Sequence, residues 1–372
     1  MAQTDFGALS TQRKKLWSAY VFQAGRDMSF WMGQNGMMGK GIKDAATPIH
    51  LVDELTKTER GDRCVMPLVQ DLQEDGIVND NDLEGSEESL AVDDIEIKIS
   101  QFRNAVKSRG KMSEQRTVIQ FRAQAKDKLA FWLSDKQDEM IFLVASGVAF
   151  TSKLDGSARS ASSQLPQLDF ASDATAPSTN RKVFAGSATS TGTLTASDKM
   201  SWNLLIKAKA MAVDKRLKPV RIKGKNCYVV VMSAFQARDL KMDNDYKSIN
   251  AQGAQRGEIN PLFTGAFSMV DGLILYEHNK VYTTRGLSSG SKWGAGNTVE
   301  GAQALLIGAQ AVGFAEVEDP TWGESDNKDY GNKSGVSYGA MIGIIKPVFK
   351  SIYDANASED FSVISIYTAA AA

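Results

Sequence analysis

Histidine and cysteine are nearly absent. The 372-residue chain holds two of each, His50 and His278, Cys64 and Cys227. So little histidine removes the side chain that most often moves protons or binds zinc near neutral pH, and with it most hydrolytic and metal-dependent enzymes. The cysteines have no metal-type spacing and read as reduced, structural thiols. Net charge is missing too, with 43 basic against 44 acidic residues, so there is no global electrostatic case for nucleic acid or an anionic membrane as main ligand. The longest apolar run, Met140 to Ala145, is far below the roughly 20 residues of a spanning helix. Residues 1–30 mix Arg13, Lys14, Lys15 and Asp27 with Trp17 and Tyr20 and hold no apolar signal core. What remains is a globular composition, 42% hydrophobic and 23% charged, long enough for a substantial core and for two lobes rather than one.

Along the chain, Leu16, Trp17, Tyr20, Val21 and Ala24 form an amphipathic stretch before a Gly/Met-rich run from Gly33 to Gly41. Its aromatics, with Phe22, Phe30 and Trp31, either bury against a partner copy or pack on the chain's own body. Asp62 to Leu68 and Ile95 to Val106 read as the two extended arms of one long hairpin. Between them, Asp71 to Glu96 carry eleven acidic residues and no Lys or Arg, after which Lys98, Arg103, Lys107, Arg109 and Lys111 come without an acid among them. Such a charge reversal is either a solvated surface or, in a self-assembling protein, two patches that meet between copies.

Ser113 to Ser146 contain no Gly or Pro and repeat apolar residues at helical spacing, from Val118 and Phe121 to Leu143. Ser113 as cap and Gly147 as stop predict a rod of roughly 50 Å. Thr151 to Ser197 read as a loop or insertion, Gly186 to Ser197 being Gly, Ala, Ser or Thr apart from Leu194. A second helix, capped by Ser197 or Asp198, is expected to reach about Leu217 before Pro219. Strands are expected at Cys227 to Met232, Leu273 to Tyr276, Val281 to Thr284, Val336 to Ile345 and Phe361 to Tyr367.

Catalytic and metal motifs fail one by one. Gly286-Leu287-Ser288-Ser289-Gly290 matches a serine-nucleophile pattern, whose elbow needs a strand before and a helix after. Only the strand is plausible, Ser291 to Gly296 are too Gly-rich for a helix, and no histidine follows Ser288. Asp80 to Gly85 resemble the start of a calcium loop, but the closing position holds Ala91 instead of a carboxylate. A phosphate loop around Lys40 would need Gly at 34 and Ser or Thr at 41, where Gln34 and Gly41 stand.

The order of segments, with a loose arm, a charged hairpin, a rod helix, a mixed lobe and returning strands, resembles the major capsid proteins of tailed bacteriophages. More narrowly it is similar to coat proteins of the podovirus type, which carry Leu55-Thr56-Lys57 with Gly61-Asp62, Asp82-Leu83-Glu84-Gly85 with Glu87-Glu88, and Gly110-Lys111-Met112-Ser113-Glu114-Gln115-Arg116. Asn260-Pro261-Leu262-Phe263-Thr264-Gly265, Asp271-Gly272-Leu273-Ile274, Gly301-Ala302-Gln303-Ala304-Leu305 and Asp329-Tyr330-Gly331-Asn332 follow in family order. These blocks run from residue 55 to about 346, and the departures fall in Thr151 to Ser197 and the terminal arms.

The resemblance implies an α+β coat-protein fold: an N-terminal arm (1–54), an extended β-hairpin loop (55–111), a peripheral domain (112–200) with a spine helix at 113–147, an axial domain (201–325), and return strands of the peripheral domain with a tail (326–372). It implies a structural, non-enzymatic role as hexamers and pentamers of an icosahedral shell around double-stranded DNA, with no catalytic residue, cofactor or metal. The partners implied are other copies, a separate scaffolding protein and a portal, with decoration proteins left open, in a virion assembled in the host bacterial cytoplasm. Contact candidates are Trp17, Tyr20, Asp82, Glu84, Glu87, Glu88, Lys98, Arg103, Lys107 and Arg109. The competing readings are the shell of a bacterial protein compartment of the same fold and, remotely, a hydrolase using Ser288.

Overall fold

The computed structural model describes residues 29–32, 37–40, 47–52, 61–79, 81–82, 84–85, 87–116, 121–222, 224–253 and 268–371. Trp17, Tyr20 and the motif blocks at 55–57 and 260–265 lie outside them. In chain order the first half supplies strands β1 (Met38–Lys40), β2 (Ile49–Val52), β3 (Arg63–Val69), β4 (Val92–Lys98) and β5 (Ser100–Lys107), a short helix α1 (Lys111–Gln115), the long helix α2 (Phe121–Ser146) and strand β6 (Lys182–Phe184). Next come α3 (Trp202–Asp214), β7 (Val220–Ile222), β8 (Lys225–Met232), α4 (Ala234–Met242), α5 (Asn244–Gly253), β9 (Ser268–Val270) and β10 (Leu273–Glu277). The chain closes with β11 (Gly301–Ile307), β12 (Val312–Lys328), β13 (Lys333–Ile345), β14 (Val348–Ser351), β15 (Ala357–Asp360) and β16 (Val363–Ala369).

The rod helix is described as α2, whose 26 residues span about 39 Å, and the stretch 117–120 before it lies outside the described residues. Ser113 does not cap it but lies inside α1. Its end is as read: Gly147 takes φ +66°, and the N–H groups of Gly147 and Val148 close on Val144 O and Leu143 O at 3.1 and 3.0 Å. A Cβ at Gly147 would stand 2.2 Å from Thr175 O, so only glycine both turns and fits here. Met140 to Ala145 are buried all round, which explains an apolar run without a polar face: this end of the rod passes between two sheets.

One sheet has five strands in the order β1-β2-β12-β13-β5, the other seven, β6-β16-β11-β8-β10-β9 with β7 added to β8. One core packs α2 between the five-stranded sheet and residues of β8 and β11; a second lies between the seven-stranded sheet and α3, α4 and α5. Two-stranded sheets β3-β4 and β14-β15 complete the fold.

Several expectations need correction. The extended run from Ile95 to Val106 is not one hairpin arm: β4 pairs with β3, whereas β5 pairs with β13. The break falls at Ile99, whose N–H donates to Asp62 O at 2.9 Å, beside Ser100, whose hydroxyl donates to Asp169 Oδ2 at 2.9 Å. Alternation announces a strand but does not choose its neighbour. Helix α3 is capped by Ser201, which accepts from Leu204 N at 3.4 Å, not by Ser197 or Asp198. Val281 to Thr284 form only a single bridge, Thr283 to Ala302. Strand β16 lies inside the seven-stranded sheet between β6 and β11, and its Val363 joins the core that holds α2. Thr151 to Ser197 do form an irregular connection, of short 3-10 turns and β6, pinned by buried Phe170, Val183 and Leu194.

Candidate assembly surface

The β3-β4 hairpin runs from Arg63 opposite Lys98 to Val69 opposite Val92. Period two sends Cys64, Met66 and Ile97 inward to a buried face and leaves Val65, Val69 and Val92 exposed. Beyond it, Leu72, Val78 and Leu90 are exposed as well. A stretch this apolar and this acidic, left open to solvent, is the composition of a surface that meets something.

The loop is nevertheless tied down at its base. Gln70 Nε2 donates to Asp93 Oδ2 at 2.9 Å, the Lys350 N–H reaches the same oxygen at 3.2 Å, and the Tyr353 hydroxyl donates to Asp71 Oδ2 at 3.1 Å. Glu88 also works within the loop, accepting the N–H groups of Gln73 and Glu74 at 2.7 and 3.0 Å. Glu87 accepts from Gly85 N at 2.8 Å. Asp82 and Glu84 are exposed, as are Glu74 and Asp75.

The basic candidates separate. Lys98 ends β4 and pairs at 2.8 Å with Asp173 of its own chain. Arg103 and Lys107 lie on β5, the edge strand of the five-stranded sheet. Phe102 turns inward and stacks on Trp132 of α2 at 4.6 Å, so alternation carries Arg103 and Lys107 to the outer face, where both are exposed, as is Arg109. The Ala105 N–H is covered by Asn104 Oδ1 at 2.8 Å.

Next to this strip is a feature that charge counting missed. The β12-β13 turn holds Asp329, Tyr330 and Gly331 at φ +56°, +50° and +81°, and leaves Tyr330 fully exposed. A non-glycine pair in left-handed conformation is costly and is kept where the surroundings impose it. Here Asn332 braces the turn against Gly110, its backbone oxygen accepting from Lys111 N at 3.1 Å, and Lys333 pairs with Asp329 at 2.9 Å. The Lys333 hydrogen bond, then Asn332, hold the Asp329 carboxyl below its ordinary range. The motif Asp329-Tyr330-Gly331-Asn332 was the available signal.

Of the N-terminal aromatics, Phe30 and Trp31 pack on the chain's own body. Phe30 stacks on Phe142 at 6.0 Å and Trp31 meets the same ring at 4.9 Å. Asp138 of α2 fixes this turn, accepting from Ser29 Oγ at 2.6 Å, Phe30 N at 2.8 Å and Trp31 N at 3.4 Å. Burial raises the Asp138 carboxyl, and the Ser29 and Phe30 bonds oppose that shift.

Enzyme geometry is not assembled around Ser288. Its hydroxyl donates to Ser291 Oγ at 3.4 Å, in a loop with no helix after it. His278 stacks on Phe142 at 5.0 Å, and burial lowers its pKa to about 4. Among the described residues no group of three or more His, Cys, Asp or Glu is gathered as a metal ligand set, no helix is long and apolar enough to cross a membrane, and Cys64 and Cys227 are buried and form no disulfide.

A family model described as phage capsid protein matches residues 2–372. The major capsid protein of Pseudomonas phage KPP25 is 39% identical over 376 residues, spanning 99% of this chain and 98% of the relative. Among solved structures, the capsid of Ralstonia phage GP4 superposes with a TM-score of 0.77 at 28% identity, over 92% of each chain. The capsid asymmetric unit of Cyanophage Pam1 gives 0.65 at 19% identity, over 88% of this chain and 89% of the other, a likeness of fold.

Proposed function

The chain belongs to the phage capsid protein family, and from that premise we propose that neighbouring copies join by seating the acidic loop of one on the basic edge strand of the next. Its work is structural: it builds the shell of an icosahedral phage capsid. A shell of identical subunits needs contacts in which two different patches of the same chain meet. The observation that carries the reading is that both patches are exposed and of opposite sign, Asp82 and Glu84 on the loop against Arg103, Lys107 and Arg109 at the sheet edge. Complementary potentials steer encounter and set register, while the exposed Val69, Val92 and Leu90 supply apolar contact.

In this reading copies group as hexamers and pentamers and enclose double-stranded DNA without reading its sequence, as suits a chain of net charge -1. The lobe around α2 is the peripheral body and the seven-stranded sheet the axial one. A separate scaffolding protein, a portal and decoration proteins are the partners, met in the host bacterial cytoplasm. Trp17 and Tyr20 remain candidates for an arm contact.

The test is charge reversal with rescue, read by negative-stain microscopy and size-exclusion chromatography. D82K/E84K and R103E/K107E are each expected to abolish closed shells at low salt while the circular dichroism of the subunit is kept, and mixing the two is expected to restore mixed assemblies. Normal shell yield from either variant would defeat the docking proposal. Glu88 is a poor choice for this test, because its reversal would release Gln73 and Glu74 of its own loop.

A further inference from the structure

Where the hairpin base, the end of α3 and the β14-β15 hairpin meet, the protein holds a cavity of about 360 Å³. That is far more than one water requires, and its wall is unusual in two respects. Five cations line it against three carboxylates, Asp71, Glu359 and Asp360, and three of the cations, Arg216, Lys218 and Lys350, have no carboxylate partner among the described residues. Arg216 lies over the Tyr353 ring at 4.6 Å and donates to its hydroxyl at 3.0 Å. Lys218 donates to the neutral Gln310 Oε1 at 2.7 Å, and burial lowers its ammonium. The other cations are engaged: Arg181 and Lys215 both pair with Asp354, at 2.8 and 2.9 Å.

The second feature is a carboxylate oxygen left over. Glu359 lines the same cavity and is only 4% exposed. Its Oε1 accepts from Asn180 Nδ2 at 2.8 Å, yet its Oε2 has no hydrogen-bond partner. A buried acceptor without a donor is costly, and the nearby cationic wall disfavours an added cation as the solution. The group that satisfies both features is an anion that brings its own proton.

We propose that this cavity is a binding site for a phosphate that retains a P–OH, either inorganic phosphate or a phosphomonoester. Its ionised oxygens face Arg216, Lys218 and Lys350, and its P–OH donates to Glu359 Oε2. Sulfate and phosphodiesters have the charge but no proton to give, so the orphaned acceptor sets the selectivity. A bound phosphate would join three parts of the chain, the hairpin at Val69 and Gln70, the end of α3 at Lys218, and β14-β15 at Lys350 and Glu359. The site is independent of the loop docking argued above.

The purified chain, as subunit and as shell, would be titrated with inorganic phosphate, methyl phosphate, dimethyl phosphate and sulfate at about pH 5.5, below the monoester's second pKa of about 6 so that it keeps its P–OH, and at constant ionic strength, by calorimetry and thermal unfolding. Phosphate or methyl phosphate should raise the unfolding temperature saturably, with at least about tenfold tighter binding than sulfate or dimethyl phosphate. The stronger of the first two identifies the free ion or the monoester as the natural occupant. E359Q keeps the Asn180 contact through its amide oxygen and should erase the preference for phosphate over sulfate. R216A/K350A, both at exposed positions and checked for folding by circular dichroism, should weaken phosphate by about tenfold or more. Equal responses to phosphate and sulfate, no saturable response to any of the four, or an unchanged preference in E359Q would each overturn the proposal.

Discussion

The phenol of Tyr353 donates to Asp71 Oδ2 at 3.1 Å, and this one bond fastens the base of the acidic loop to a turn 282 residues further along the chain. The Tyr353 phenol oxygen in turn accepts from Arg216 Nη1 at 3.0 Å. Tyr353 therefore links the hairpin to the end of α3, and how the loop leaves the body depends on a side chain in neither element.

Y353F keeps the ring under the Arg216 guanidinium and removes both polar links. A loss of about 1 kcal/mol is expected, with hydrogen exchange faster across residues 68–75 and unchanged in β12 and β13. Uniform acceleration over the whole chain would show that the phenol serves global stability instead of the loop.

Asp354 is held below its ordinary value of 3.8; burial opposes that shift, and the hydrogen bonds from Lys215, Arg181 and Ser351 outweigh it. A carboxylate with a depressed folded pKa contributes stability that is present above the unfolded value and disappears as pH falls through the folded one. D354N should therefore be markedly less stable than the parent at pH 7, by about 3 kcal/mol since Arg181 stays buried without its partner. The gap should narrow as pH falls below about 3.8. Denaturant titrations at pH 7 and pH 3 check the sign.

D138A takes away the acceptor of three donors at Ser29, Phe30 and Trp31. The turn at 29–32 should detach from α2, with a cost of about 2 kcal/mol and a red shift in tryptophan emission as Trp31 leaves its pocket. The shift should be absent in D138A/W31F, which assigns it to that residue.

G147A places a methyl group 2.2 Å from Thr175 O at a backbone φ of +66°. The strain of the left-handed conformation adds to the clash, and a loss of about 2 kcal/mol or more is expected, read as a lower unfolding temperature of the subunit.

The elements that the sequence made legible are those whose signal is local. The end of α2 at Gly147, strands β8 and β10, and the charge reversal between the acidic loop and Lys98 to Arg109 all follow from neighbours within a few residues. What escaped depends on distant partners. Nothing around Ile99 announces that β4 and β5 belong to different sheets, because the choice is made by β3 on one side and β13 on the other. Lys98 looks like its basic neighbours until Asp173 claims it. Strand β12 hid in a polar sequence because β2 and β13 both pair with it, and β16 is placed by β11 and β6. Glu359 could not be noticed at all, since an unsatisfied atom is a property of packing.

The direct succession of β4 and β5, with only Ile99 between them, also has a mechanical meaning. A pull on the hairpin would enter β4 and pass through the Ile99 joint into β5 along covalent bonds. It reaches the five-stranded sheet as a lengthwise load, spread over the whole ladder from Ser100 opposite Ile342 to Lys107 opposite Gly335. Hydrogen bonds loaded side by side in shear yield together instead of peeling one at a time, so a load entering through the hairpin would be shared along the β5-β13 ladder.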